Sequence, residues 1–306
     1  KKIVNVVASI KKSSKPLDDY FPEISQGLIA YDKYKGQSKE IIDTRAYHFN
    51  EFQEGLKYWL WGGDVVKYSV KWNGKEYIDY SEGIANPRKP KFFNNKRILV
   101  REITNPSIFA AITEEELYND PAVLIILDSK YSLEATALIL NSKLGSFYHF
   151  NASPKATKGD FPKILVKDIK DFPITQNIEK LNGSLWSNIY YILEHIVEYH
   201  DDPSTFHRFV DAIVFNLYFP EHMKERGIEV LDFVERDMQK VLSMYLKHPA
   251  SDSQKQDAFD TLVDADKEKV IEQLHATWSD PENEVVKRMA QFKEKSPEIL
   301  KPILES

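Results

Sequence analysis

Residues 138–174 read LILNSKLGSFYHFNASPKATKGDFPKILVKDIKDFPI, and their character changes twice along the way. Leu133, Ala137, Leu140, Leu144 and Phe147 recur at helical spacing, which predicts an amphipathic helix. Pro154 and Gly159 then break the chain into a loop carrying Lys155 and Lys158. After the loop, Lys167 to Ile174 read as a strand that runs to a proline stop. No acidic residue lies between Ala135 and Gly159, whereas Lys143, Lys155 and Lys158 are positive. Such a surface suits a polyanion.

The residues before this stretch are rich in β-formers. Val66, Tyr68, Val70 and Trp72 alternate up to Asn73-Gly74, and aromatic residues from Tyr77 to Tyr80 follow, a pattern that predicts a type I′ hairpin. Ile98 to Val100 and Val123 to Leu127 read as two more strands, with the helix from about Ser132 to Phe150 packed on the sheet. Beyond Asn182-Gly183 the period becomes helical. Trp186, Ile189, Tyr190, Leu193, Ile196 and Val197 share one face. Asp202-Pro203 opens a second helix with the stripe Phe206, Phe209, Val210, Ile213 and Leu217. Three more helices are expected over residues 230–246, 267–278 and 284–293, with a flexible polar stretch from His248 to Gln256. The fold class is therefore α+β: a mixed sheet-and-helix module over residues 1–178, then a helical region over residues 179–306.

The 306 residues have room for one large or two ordinary domains. No apolar run approaches the ~20 residues that span a bilayer, and no signal peptide is visible, so no membrane partner is expected. Cysteine is absent, which excludes disulfides, thiolate metal sites and cysteine nucleophiles and fits a cytosolic protein. The chain starts without Met, as expected of a piece of a longer protein. The net charge of −6 is uneven: residues 1–175 hold 26 Lys+Arg against 22 Asp+Glu, and the rest hold 15 against 25.

Two windows could touch a polyanion. From Gly83 to Arg101 there is no acid, while Arg88, Lys89, Lys91, Lys96, Arg97 and Arg101 alternate with Phe92, Phe93 and three asparagines. Cations so grouped are either a solvated loop or a surface opposite phosphates, whose neutralisation releases counterions. Asn and Arg also pair with adenine and guanine edges. The second window is Gly27 to Gly36, where Tyr31, Lys33, Tyr34 and Lys35 mix aromatic faces with cations, and the glycines would let the backbone approach a ligand.

The order of these motifs resembles the TaqI-like C-terminal specificity domain of type II (type IIG) restriction-modification adenine methyltransferases. There an "LLNSKL…FY" helix precedes an "SPKA-KG-F-K" loop and a "-D-(I/L)-(K/N)-(F/L)-PI" end. The counterparts here are Leu140 to Leu144, Ser153 to Gly159 and Lys167 to Ile174. Residues Gly27 to Gly36 are similar to the family's "GL--Y-KG-G" entry, interrupted by Asp32 and Tyr34. Leu60 to Tyr80, Lys96 to Ile103 and Phe206 to Tyr218 are similar to further blocks. The resemblance covers about Gly27 to Pro220.

It implies sequence-specific binding of double-stranded DNA by a module joined to an upstream methyltransferase domain. The implied DNA-binding residues are Tyr31, Lys33, Tyr34, Lys35, Arg88, Lys89, Lys91, Lys96, Arg97, Lys155 and Lys158. Adenine methyltransferases also need a glycine-rich loop for S-adenosylmethionine and an (N/D)PP(Y/F) tetrapeptide for the flipped base. Neither occurs here, so this chain is expected to have no catalysis and no cofactor of its own. S-adenosylmethionine, with Mg2+ for any DNA cleavage, would serve the parent enzyme.

Two other readings stay open. The aromatic β-half and the acidic helices would also suit a protein-interaction module. Asp128-Ser129-Lys130 after a strand is like half of a magnesium-dependent nuclease site, but the other acid would have to be Asp120, at the strand's entrance. The histidines from His195 to His222 lack metal-helix spacing and are expected in packing or surface roles, without a bound metal.

Overall fold

The computed structural model describes residues 2–153, 156, 161–180, 184–200, 202–246 and 258–306. They form two compact units. The sheet unit comprises Leu17–Leu133 and Pro154–Asp171, and the helical unit comprises Lys1–Pro16, Glu134–Ser153 and Phe172–Ser306. The α+β class expected from the sequence is observed, but its parts are shared out differently from a division at residue 178. The N-terminal segment and the helices within residues 134–153 group with the C-terminal helices.

In the helical unit, β1 (Ser14–Pro16) pairs antiparallel with β12 (Pro173–Thr175). The helix Lys2–Lys12 packs on the helix Lys143–Ala152, which also meets the helix Ser204–Tyr218. The single helix expected over residues 132–150 is two, Leu133–Asn141 and Lys143–Ala152. Ser142 Oγ accepts from Gly145 N at 3.1 Å and so caps the second helix. A Cβ at Gly145 would strike the carbonyls of Ile139 and Leu140, so this tight corner requires glycine. The helices Ser184–Tyr199, Ser204–Tyr218, Leu231–Ser243 and Asp264–Ser279 follow the sequence periodicity. Phe209 is 1% exposed and stacks on Trp278 with centroids 4.3 Å apart. Buried polar groups fix the ends of these helices. Asn216 Oδ1 accepts from Val230 N and Leu231 N, and Asp211 Oδ1 accepts from Lys143 N. The turn expected at Asn182-Gly183 and the polar stretch from His248 to Gln256 lie outside the described residues.

The sheet unit holds β2 (Ile24–Gln26), β3 (His48–Phe49), β4 (Lys57–Leu60), β5 (Val65–Val66), β6 (Ser69–Val70), β7 (Tyr77–Ile78), β8 (Arg97–Arg101), β9 (Ala110–Thr113), β10 (Leu117–Asn119) and β11 (Val123–Leu127). One antiparallel sheet runs β2-β11-β8-β9. All of β11 is buried, as its unbroken apolar run requires. A second sheet runs β10-β4-β7-β3, with β10 and β4 parallel. Leu28, Trp59, Ile78, Phe93, Leu99, Tyr118 and Ile125 are among the residues of one apolar core in this unit.

Two strand expectations fail here for identifiable reasons. Asn73-Gly74 does not close a hairpin, because β7 pairs with β4 and β3 instead. Gly74 does take positive φ, but Asn73 turns its amide onto Asp64, at 2.9 Å from Oδ2, and its Oδ1 accepts from Lys75 N. The hairpin of this region is the smaller β5–β6 pair, turning at Lys67 and Tyr68. The residues read as a strand after Lys167 begin as a short helix, Val166–Lys170, because the Asp168 carboxylate accepts from Leu165 N at 2.8 Å. Only Pro173–Thr175 is extended and paired.

Candidate nucleic-acid interface

The two windows singled out in the sequence are neighbours in the sheet unit. Ile29 N donates to Asn86 O at 3.1 Å, and Asn86 N returns a bond to Ile29 O at 2.9 Å. Gln37 fastens them further. Its Nε2 donates to Ala30 O and Gly83 O, each at 2.8 Å, and its Oε1 accepts from Asp32 N. Residues 31–37 and 83–88 therefore present one surface. Gly27 serves packing rather than ligand approach: a Cβ there would collide with the carbonyls of Asn119 and Asp120.

On this surface Asp32 Oδ1 accepts from Tyr34 N and starts a single 3-10 turn, Lys33–Lys35, which ends at Gly36 with φ +83°. The turn pushes its side chains outward. Tyr34 is 83% exposed, with Lys33 Nζ 4.8 Å above its ring, and Lys35 is exposed beside it. Lys89 is exposed as well, and Lys33, Lys35 and Lys89 have no acidic partner among the described residues. Asn94 and Asn95 are exposed at the end of the short helix Lys91–Asn94.

The other expected contact residues have structural duties. Tyr31 is half-buried; its hydroxyl lies 2.7 Å from His48 Nδ1 and accepts from Tyr47 N. Burial holds that phenol above its ordinary pKa. The Arg88 guanidinium donates to Asn86 Oδ1 at 2.8 Å and to Gln26 O and Pro87 O, while the Tyr80 hydroxyl grips the Arg88 backbone. Lys91 pairs with Glu23, and Lys96 is half-buried. Arg97 is a correction. It is 0% exposed, and its guanidinium donates to the carbonyls of Asn95, Glu115 and Leu117 at 2.8–3.2 Å, so it ties β8 to the β9–β10 connection and the start of β10 and cannot reach a phosphate. Burial lowers its pKa to about 10, leaving it charged at neutral pH. Lys155 and Lys158 lie outside the described residues.

The structure adds an aromatic face that the site reading missed. Tyr58 stacks on Trp72 with centroids 4.3 Å apart, and Phe52 and Tyr77 complete the cluster at 5.5–6.2 Å. Phe52 is 57% and Tyr58 42% exposed. The cluster gathers β4, β7 and the segments around them, so a reading of one strand at a time does not reveal it. Beside it, buried Glu76 bonds both Arg45 and Trp61 Nε1, at 2.7 and 2.6 Å.

The structure does not bring together the two acids of the nuclease reading. Asp120 and Asp128 flank opposite ends of β11. Asp120 Oδ1 accepts from Ala122 N, Asp128 Oδ1 accepts from Ser129 N, and Lys130 Nζ sits over the Tyr131 ring. Among the described residues, no group of three metal-ligating side chains falls in the sheet unit.

Residues 57–174 match the family described as the TaqI-like C-terminal specificity domain. That match covers 118 of the 306 residues. The matched span runs from β4 into β12 and so includes the basic window of residues 83–101, Tyr58, Trp72 and Tyr77 of the aromatic face, and the helix pair of the helical unit. A protein of Methanocaldococcus jannaschii described as a type II restriction enzyme and methyltransferase is 23% identical over 228 residues, covering 66% of this chain and 19% of that protein. The chain thus spans about a fifth of the length of that relative. None of the described helices is long and apolar enough to cross a membrane.

Proposed function

We propose that this chain recognises a target sequence in double-stranded DNA on behalf of a type II restriction-modification enzyme. The match of residues 57–174 to the specificity-domain family carries this reading. The exposed Lys33, Lys35 and Lys89, without acidic partners among the described residues, support it on one joined surface. In this reading these lysines, with Lys155 and Lys158, hold phosphates and set register, while Tyr34, Asn94 and Asn95 approach base edges. Arg88, Gln37 and Tyr80 keep the loops in place. The partner is a methyltransferase domain that transfers the methyl group of S-adenosylmethionine to adenine N6, and Mg2+ serves whatever cleavage the parent performs. In this reading the cofactor site belongs to that domain, so calorimetry of this chain with S-adenosylmethionine is expected to give no binding. Micromolar binding would overturn that part of the proposal.

The central test is selection from randomised duplexes, followed by anisotropy measurements in a salt series. Enrichment of one short sequence, with affinity that falls steeply as salt rises, is the expected result. Equal retention of all duplexes would remove the recognition role. A chain that retains no duplex but captures a protein partner would favour the interaction-module reading.

A further inference from the structure

The helical unit contains a constellation unrelated to the proposed DNA surface. His195 lies on the last turn but one of the helix Ser184–Tyr199, and His200 follows the helix end, where its N–H still bonds Ile196 O. Glu268 stands near the start of the helix Asp264–Ser279. His195 Nε2 is 2.7 Å from one oxygen of Glu268, and His200 Nε2 is 2.9 Å from the other. The ligand atoms of the three side chains lie within 4.8 Å of one another. We propose that His195, His200 and Glu268 form a binding site for a divalent transition-metal ion of the zinc class.

Four observations carry the assignment. First, two imidazole nitrogens and one carboxylate are a donor set that suits Zn2+, with a position left for water. Second, ligand atoms on a tetrahedral zinc lie about 3.3 Å apart, as bonds of about 2.0–2.1 Å require. The present separations reach that geometry with small rotations of the side chains. Third, the site is closed on one side and open on the other. The His195 side chain is 8% exposed and packs against Tyr199 and Phe259, whereas His200 and Glu268 are 41% and 46% exposed. An ion can enter from solvent and meet a ligand already held in place. Fourth, acids crowd the same part of the unit. Glu198 and Asp260 lie within electrostatic reach of Glu194. The cation nearby, Lys267, is already paired with Asp260 at 3.6 Å.

The ion would tie the end of one long helix to the start of another. Because it binds the folded chain, it would stabilise the helical unit by mass action. The spacing explains why the sequence does not announce the site. The two histidines are five residues apart across a helix end, and the third ligand comes 68 positions later.

Isothermal titration of the chelator-treated chain with zinc chloride is expected to show one ion bound per chain, together with a rise in melting temperature. His200→Ala and Glu268→Gln change exposed groups and should each weaken binding at least about tenfold, with unaltered circular dichroism. His275→Ala, an exposed histidine on the same helix as Glu268, should leave binding unchanged. Cobalt(II) added to the unsubstituted chain should give the intense visible absorption of a tetrahedral site, a readout that needs no variant. Absence of both heat and cobalt absorption, or zinc binding that survives His200→Ala and Glu268→Gln, would overturn the assignment and leave a hydrogen-bonded clasp of two imidazoles on one carboxylate.

Discussion

The helical unit and the sheet unit reach order by different means. In the helical unit, apolar stripes at 3.6-residue period meet, and the Phe209–Trp278 stack lies within that packing. In the sheet unit, strands of two to five residues supply a core, and polar side chains then fix the loops between them: Gln37, Arg88, Tyr80 and Arg97. Order from packing tolerates polar exchange at the surface. Order from individual hydrogen bonds does not, and that is where the functional loops sit. The largest effect should therefore come from the helical core. Phe209→Ala is expected to cost about 3–5 kcal/mol of stability, measured by urea unfolding, while any sequence preference of the folded fraction stays the same. A change of preference at full stability would break this division of labour.

The counterpart in the sheet unit is Arg97. Arg97→Leu leaves the carbonyls of Asn95, Glu115 and Leu117 without their donor, at roughly 1–3 kcal/mol for an unsatisfied buried group. Stability should fall, yet the salt dependence of DNA binding should keep its slope. If the slope drops by one charge while stability holds, Arg97 is a phosphate contact after all.

These differences also explain what could be read in advance. The long helices were legible because a stripe such as Phe206, Phe209, Val210, Ile213 and Leu217 has one explanation. The buried run of β11 was legible for the same reason. The Asn73-Gly74 turn misled because a hairpin signal is local, while the pairing of β7 with β4 is decided by which edge is free. Arg97 misled because charge in a sequence window says nothing about direction. On a strand, alternate side chains face opposite ways, and this one turns inward. The joined surface of residues 31–37 and 83–88 was legible in composition only, since Gln37 makes the joint and no pattern marks it. Charge balance, too, depends on where the units part. The sheet unit as drawn by the structure holds 20 Lys+Arg against 21 Asp+Glu, and the helical unit holds 21 against 26. The case for DNA therefore rests on local cations, not on a basic domain.

That local case has its own measurement. Lys33, Lys35 and Lys89 are exposed and lack acidic partners among the described residues, so each should release about one counterion on binding. Replacing all three with Gln is expected to flatten the plot of log affinity against log salt by about 2.7, at about 0.9 per charge. Stability should not change. An unaltered slope would reduce the lysines to solvated surface and move the interface elsewhere in the sheet unit.

The smallest effect sharpens the comparison through pH. In the sheet unit His48 is half-buried near Arg45, and desolvation first, then that charge, lowers its pKa to about 4 from the usual 6.5. The unfolded chain therefore binds a proton that the folded chain refuses, and stability falls as pH drops from about 6.5 towards 4. In the helical unit Glu194 behaves in the opposite sense. With its pKa raised to about 8 from 4.5, mainly by burial, the neutral acid is the form the fold accepts. Its contribution is complete below about 4.5 and is lost as pH rises through 8. Hydrogen exchange resolved by segment should thus show peptides around β3 and β7 loosening on the acid side and peptides of the helix Ser184–Tyr199 loosening on the alkaline side. His48→Gln should erase the acid edge alone, and Glu194→Gln the alkaline edge alone. If both units lost protection at one pH and responded alike to both substitutions, they would be a single cooperative body, and the contrast between them would not survive.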